Sequence, residues 1–336
     1  MLASNTHGLS RRRVISILAV GAALPLIGHG ARAAALEPFR WQGIVLGAAG
    51  DLTLYAASRG EAADAMDASL AECARLESIF SLHQPDSALS RLNRDGRLDG
   101  APFELLELMS QALTFAAASN GRFEPTIQPL WKLYADHFAA PAADPAGPDG
   151  AVLARVLRRI DYRGVRLEAD AITFDRPGMQ VTLNGIAQGY ISDRIGALLK
   201  ARGFTHMLVN LGETLALDSK PDGGLWQIGI PAPDDRARLM TTIDLSGGAV
   251  ATSAARGMLF TADGRFNHLI DPERVACAAP DRSVTVVAAS AATADGLSTL
   301  GALVPDPVRD LPALLQAHQA RAYVVGVAHP QGIWIG

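Results

Sequence analysis

The sequence is short of cysteine, of one-signed charge and of membrane-length apolar stretches, and each shortage removes a class of protein. Only Cys73 and Cys277 occur in 336 residues, which rules out a disulfide framework and any CxxC-type zinc site. A single bridge between them stays open. Thirty Lys and Arg stand against 34 Asp and Glu, for a net charge of -4, and no block of five or six like charges occurs. Nothing here can track a phosphate backbone, so nucleic acid is set aside as a partner. The patterns GxxxxGK[ST], GxSxG, HExxH and a strand-linked GxGxxG are also missing, so four common enzyme classes lose their usual support. What is plentiful is apolar residues, at 49%, in a chain long enough for about two domains or one large one.

The N-terminus reads as an address. Ser10-Arg11-Arg12-Arg13 precedes an apolar run from Val14 to Ile27 that leads into Ala31-Arg32-Ala33, an A-x-A cleavage pattern. As a helix that run rises about 21 Å, short of the roughly 30 Å hydrocarbon core, which favours a removable segment over a stable membrane anchor. Paired arginines after a serine match a twin-arginine signal, with an ordinary secretory signal as the alternative; both predict the periplasm. Residues 1–33 are therefore assigned to the signal and 34–336 to one mature domain.

Helical spacing from Ala62 to Phe80 places Met66, Leu70, Cys73, Leu76 and Phe80 on one face, so Cys73 is expected in the core. A second helix is predicted from Phe103 to Ser119, and a loop over Ala139 to Gly150. Beyond Val165 short strand-like runs dominate: VRL, AITF, MQVTL, HMLVNL, LWQIGI, MTTIDL, SVTVVAA and YVVGVA. Helices interrupt them at Ile186 to Arg202, Thr293 to Val304 and Val308 to Ala320. Strands and helices do not alternate regularly, so the pattern predicts an α+β fold with mixed, mostly antiparallel sheets and flanking helices.

Three places could carry chemistry. At Val181 to Tyr190 a strand-like run breaks at Asn184-Gly185 and enters a helix, whose free N–H groups and dipole suit a phosphate; Asn-Gly is equally ordinary turn chemistry. Asp295 and Thr299, four residues apart, share a helix face and offer hard oxygen ligands to magnesium, although an Asp in a first helical turn is favourable by itself. His268 precedes Asp271 by three residues at a proline-bounded turn; it could take a proton, or be a structural histidine with Asp271 capping the turn. Polar segments at Phe80 to Asn93 and Gly121 to Leu130 read as turns or loops, and Cys277 has only Arg274 nearby to activate it.

In order along the chain, these segments resemble the ApbE-type flavin transferases. FSLHQPDSALSRLN is similar to the family's early serine-and-asparagine motif, GRFEPTIQPLWKLY to FDPTVGPL, and VTLNGIAQGYISDRI to DLGGIAKGY. LVNLGETLAL is similar to VNxGGD, VATSAARG to the TSG segment, HLIDP to HIIDP, and SVTVVAASAATADGLSTL to the AxxADALAT helix.

The resemblance implies an ApbE-like, T-fold-like domain with a cleft for FAD. It implies Mg²⁺-dependent transfer of FMN from FAD to a threonine hydroxyl of a periplasmic or membrane flavoprotein, with release of AMP. Matched positions imply that Asp295, Thr299 and the Gly185 carbonyl hold Mg²⁺, and that His268, with Asp271, acts near the transfer. Glu124, Pro125, Thr126, Thr182, Gln188 and Ile270 fall at FAD-contacting positions, with His83 where the family often has an aromatic. Some positions depart from the pattern: Thr182 replaces an aspartate, Gln188 a lysine or glutamate, Glu213 follows a single glycine, and Ala254-Ala255 replace a glycine and aspartate. TLNGIAQGY resembles the subgroup linked to nitrous-oxide reductase maturation, which implies a membrane flavoprotein as acceptor. The alternative readings are an FAD pyrophosphatase and a non-catalytic flavin-delivery protein.

Overall fold

The computed structural model describes residues 36–45, 48–235 and 237–336, together with a two-residue strand at Leu18–Ala19 (β1). Apart from that pair, the expected signal at 1–33 lies outside the described residues. A hairpin, β2 (Glu37–Val45) and β3 (Ala48–Ala56), leads to α1 (Arg59–Phe80), α2 (Ala88–Asp95), β4 (Arg97–Asp99) and α3 (Phe103–Ala118). Then come α4 (Gln128–Ala139), α5 (Gly150–Leu157), β5 (Val165–Leu167), β6 (Ala171–Phe174) and α6 (Ala187–Ala201). Next are β7 (Met207–Asn210), β8 (Thr214–Leu217), β9 (Trp226–Pro231), β10 (Leu239–Leu245), β11 (Gly248–Ala254), β12 (Ile270–Asp271) and β13 (Ala276–Cys277). The chain closes with β14 (Ser283–Ala288), α7 (Ala291–Leu303), α8 (Pro307–Asp310), α9 (Pro312–Ala317), β15 (Arg321–Gly326) and β16 (His329–Ile335).

One antiparallel sheet runs β1-β2-β3-β7-β8-β11-β14-β15-β16, and both its faces are covered. Side chains alternate across a strand, so one strand can serve two cores. Ala249 and Ala251 of β11, Val284 and Val286 of β14, and Ala322 and Val324 of β15 point to the main core beneath α1, α6 and α7. Val250, Tyr323 and Val325 point the other way, against Trp226, Ile230, Ile243 and Leu245 of the β9–β10 ribbon. This explains why β11, β14 and β15 read as continuous apolar runs rather than alternating ones. In the first hairpin, a Cβ on Gly43 would lie 2.2 Å from the Trp41 ring, so only glycine lets that indole lie along the strand.

The α1 face matches its periodicity: Met66, Cys73, Leu76 and Phe80 are buried, Leu70 packs partly buried, and Ser58 caps the Glu61 N–H at 3.2 Å. Cys73 lies in the main core and Cys277 elsewhere, and both thiols are free, so no bridge joins them. The structure departs from expectation in three places. MQVTL forms no strand, because the Asn93 amide takes both backbone groups of Val181, donating to its carbonyl at 2.8 Å and accepting its N–H at 2.7 Å. The helix expected over Val308 to Ala320 divides into α8 and α9, since Pro312 has no N–H to continue the ladder. The segments at 80–93 and 121–130 contain the starts of α2 and α4, the first capped by Ser87 on the Ser90 N–H at 3.0 Å. Among the described residues no helix is long and apolar enough to cross a membrane.

Candidate active site

The junction of α6 and α7 builds the site's floor. A Cβ on Gly189 would sit 2.2 Å from the Ala291 carbonyl oxygen, so the two helix starts meet only because that residue is glycine. Each helix then caps the other. Asp193 on α6 accepts the N–H groups of Ala291 and Ala292 at 2.8 and 2.9 Å, and Asp295 on α7 accepts the Gly189 N–H at 3.1 Å. Both carboxylates satisfy donors that a helix start leaves unpaired, and both are favoured there by the helix dipole.

Burial works against those charges. It raises the Asp193 carboxyl above its usual range and pushes Asp295 up to about 7, the latter despite the Gly189 N–H and with a further push from Asp193. Glu213 is raised well above the ordinary range by burial first and by the facing Asp295 second. Among the described residues no lysine or arginine pairs with any of the three. One turn along α7, the Thr299 hydroxyl lies 3.2 Å from Ser253 Oγ, and a Cβ on Gly185 would fall 3.1 Å from Thr299 Oγ1. Asp295, Thr299 and Gly185 thus meet, as the sequence led us to expect. The Asp295 carboxylate, the Thr299 hydroxyl and the Gly185 carbonyl are hard oxygen donors of the kind magnesium takes.

Above this floor opens a cavity of about 1300 Å³, larger than the roughly 300–1,000 Å³ of a typical small-ligand pocket. Asp295, Thr299, Gly185, Thr182, Gln188, Glu124, Pro125, His268, Ile270 and Glu213 all line it. The wall bearing His268 comes from the loop after β11. There His268 Nδ1 lies 3.1 Å from the Met258 carbonyl, which can only accept, so the proton sits on Nδ1 and Nε2 is left as the free acceptor. Burial holds the imidazole below its ordinary value of 6.5, hence neutral at pH 7. Gly257 packs beside the ring, where a Cβ would come within 3.3 Å.

Four expected site residues have other tasks. Asp271 is not in the cavity wall; its Oδ1 accepts the N–H groups of Glu273 and Arg274 at 3.0 and 3.2 Å, capping the turn behind Ile270, while Oδ2 is buried without a partner. His83 is exposed away from the cavity, in a turn held by Ser81. Thr126 is fully buried and behind the wall; it donates to Glu124 Oε1 at 2.7 Å and accepts the Asp161 N–H at 2.8 Å. Glu124 does reach the cavity, but its oxygens already accept from Thr126 and from the Tyr162 N–H at 3.1 Å, so it braces the wall. Asp193 and the Asp51–Asn210 pair, joined at 3.0 Å, are polar features to which motif reading assigned no role; the pairing of β3 with β7 and the approach of α6 to α7 reveal them.

The ApbE family model matches residues 46–324. The chain belongs to the ApbE family. It is 31% identical over 246 residues to an FAD:protein FMN transferase of Treponema pallidum, covering 66% of each chain. It is 28% identical over 230 residues to one from Salmonella typhimurium, covering 66% of this chain and 65% of the relative. The alignments thus span just under two thirds of those ApbE relatives' length. The solved flavin transferase ApbE from Vibrio cholerae shares the fold, with a TM-score of 0.74 at 24% identity over 88% of this chain and 96% of that one.

Proposed function

We propose that this protein is a periplasmic, Mg²⁺-dependent FAD:protein FMN transferase, exported by the twin-arginine route, that places FMN on a threonine hydroxyl of an acceptor flavoprotein and releases AMP. One observation carries the reading: buried carboxylates, with no cation paired to them among the described residues, sit in the floor of a cavity that otherwise suits a dinucleotide. A diphosphate would be repelled there. A divalent cation held by Asp295, Thr299 and the Gly185 carbonyl would reconcile the two.

Asp295, Thr299 and the Gly185 carbonyl would hold Mg²⁺, which when bound orients the diphosphate and offsets the charge developing on the leaving oxygen. The acceptor hydroxyl oxygen bonds to the FMN-side phosphorus, the bond from that phosphorus to the bridging oxygen breaks, and AMP departs with that oxygen. His268 Nε2, neutral and unpaired, receives the hydroxyl proton. Gln188 and Thr182 face the nucleotide, and Glu124, fixed by Thr126, holds the wall between them and Pro125. The TLNGIAQGY segment supports a membrane flavoprotein of nitrous-oxide reductase maturation as the acceptor.

Mass spectrometry of candidate periplasmic proteins co-expressed with this enzyme tests the reading. A threonine gaining the FMN mass only when the enzyme is present supports it. FMN and AMP produced from FAD and Mg²⁺ alone would instead mark a pyrophosphatase, and flavin retained without AMP release a delivery protein.

A further inference from the structure

Glu213 is a buried carboxylate that none of the roles above uses. It ends the three-residue loop Leu211-Gly212-Glu213 that turns β7 into β8, with Asn210 opposite Thr214 and Gly212 at φ +110. That positive φ favours glycine, and a Cβ at 212 would also strike the Gln188 amide at 2.6 Å. The loop is therefore pressed onto the start of α6, one residue from the Gly189 N–H that holds Asp295. On its other side the Thr252 N–H donates to Glu213 Oε2 at 3.3 Å, and the next residue, Ser253, touches the Thr299 hydroxyl. Glu213 is thus bracketed by the neighbours of Asp295 and Thr299.

The side chain is 8% exposed and lines the same cavity. Among the described residues its carboxylate accepts one hydrogen bond, that long contact from the Thr252 N–H to Oε2. A buried carboxylate so poorly compensated costs several kcal/mol unless it is paired or coordinates a metal. The charge that acts on it is another carboxylate, Asp295, which makes the cost larger.

We propose that Glu213 is the second anionic ligand of the divalent cation held by Asp295, Thr299 and the Gly185 carbonyl. This rests on the cation reading of the floor. With two carboxylates the protein ligands match the cation's charge, so the chain binds the cation without FAD, and the diphosphate adds to a site already loaded.

The test uses the full-length protein stripped with EDTA and freed of flavin, with Mn²⁺ as the probe, read by titration calorimetry and by the rise in Tm that Mn²⁺ produces. Wild type is expected to bind Mn²⁺ in the absence of flavin. Glu213→Gln, which keeps size and shape, is expected to weaken Mn²⁺ at least about tenfold and to lose most of the Tm rise, with its Tm in EDTA no lower than wild type. Glu213→Asp should recover part of the affinity, which a merely space-filling role would not produce. Unchanged Mn²⁺ affinity in Glu213→Gln, alongside a large loss in Asp295→Asn, would overturn the role of Glu213 and leave the cation reading standing. No Mn²⁺ binding by wild type without flavin would overturn the role of Glu213 alone, and unchanged affinity in both variants would overturn both.

Discussion

The floor and the His268 wall of the cavity are built in opposite ways. The floor is two helices interlocked at a glycine, each capped by the other's carboxylate, and among the described residues no lysine or arginine pairs with those carboxylates. The wall is a loop between β11 and β12, where a histidine is kept neutral by burial and oriented by one carbonyl. The floor presents buried carboxyl groups to whatever binds, whereas the wall presents a neutral imidazole. Scaffold and chemistry are fused in the first and separable in the second.

Breaking the floor should have the largest effect. Asp295→Ala removes a cap and a cation ligand together; labelling of an acceptor with FMN is expected to vanish and Mg²⁺ to lose its effect on Tm. Mg²⁺-dependent labelling retained by that variant would count against the floor as the cation site. Breaking the wall with His268→Ala should slow labelling by about 10²–10⁴-fold while leaving the Tm rise with Mg²⁺ intact, as measured on the same preparations. A parallel loss of both would mean the two regions are not separable.

Gly189→Ala attacks the interlock without touching any charge. Its Cβ would meet the Ala291 carbonyl at 2.2 Å, so denaturant unfolding should report a loss of about 1–3 kcal/mol. Asp193→Ala removes only the cap on α7, with an expected loss of about 0.5–2 kcal/mol, and should spare His268-dependent chemistry. The mildest probe is pH. Because burial lowers the His268 pKa below 6.5, the imidazole is already neutral above that value. At saturating Mg²⁺ the rate should be flat from pH 8 to 7 and should fall only below pH 6.5. The stability linked to this group likewise is present above 6.5 and is lost as pH drops through the lowered value. An acid limb centred above 6.5 would remove His268 as the neutral base.

Sequence alone gave good access to the floor and poor access to what surrounds it. Asp295 and Thr299 were legible because helical spacing fixes which residues share a face, and α7 is an unbroken helix. Asp193 was not, because its cap partners are 98 and 99 residues away. His83, Thr126 and Asp271 sit in motif-like segments, yet motif position says nothing about which way a turn presents its side chains. The MQVTL run has strand composition but pairs with the amide of Asn93, 88 residues earlier, a substitution that no periodicity encodes. The α+β class was readable from irregular alternation, but the division of β11, β14 and β15 between two cores needed the ribbon that covers the sheet's far face.

One carboxyl group of Asp295 serves two masters, with one oxygen bound to the start of α6 and the other free toward the cavity. Lengthening or moving it would unseat a helix as well as a ligand, so variation at this point is doubly penalised. A substitution that changes acceptor binding at the cavity's rim leaves this double attachment untouched.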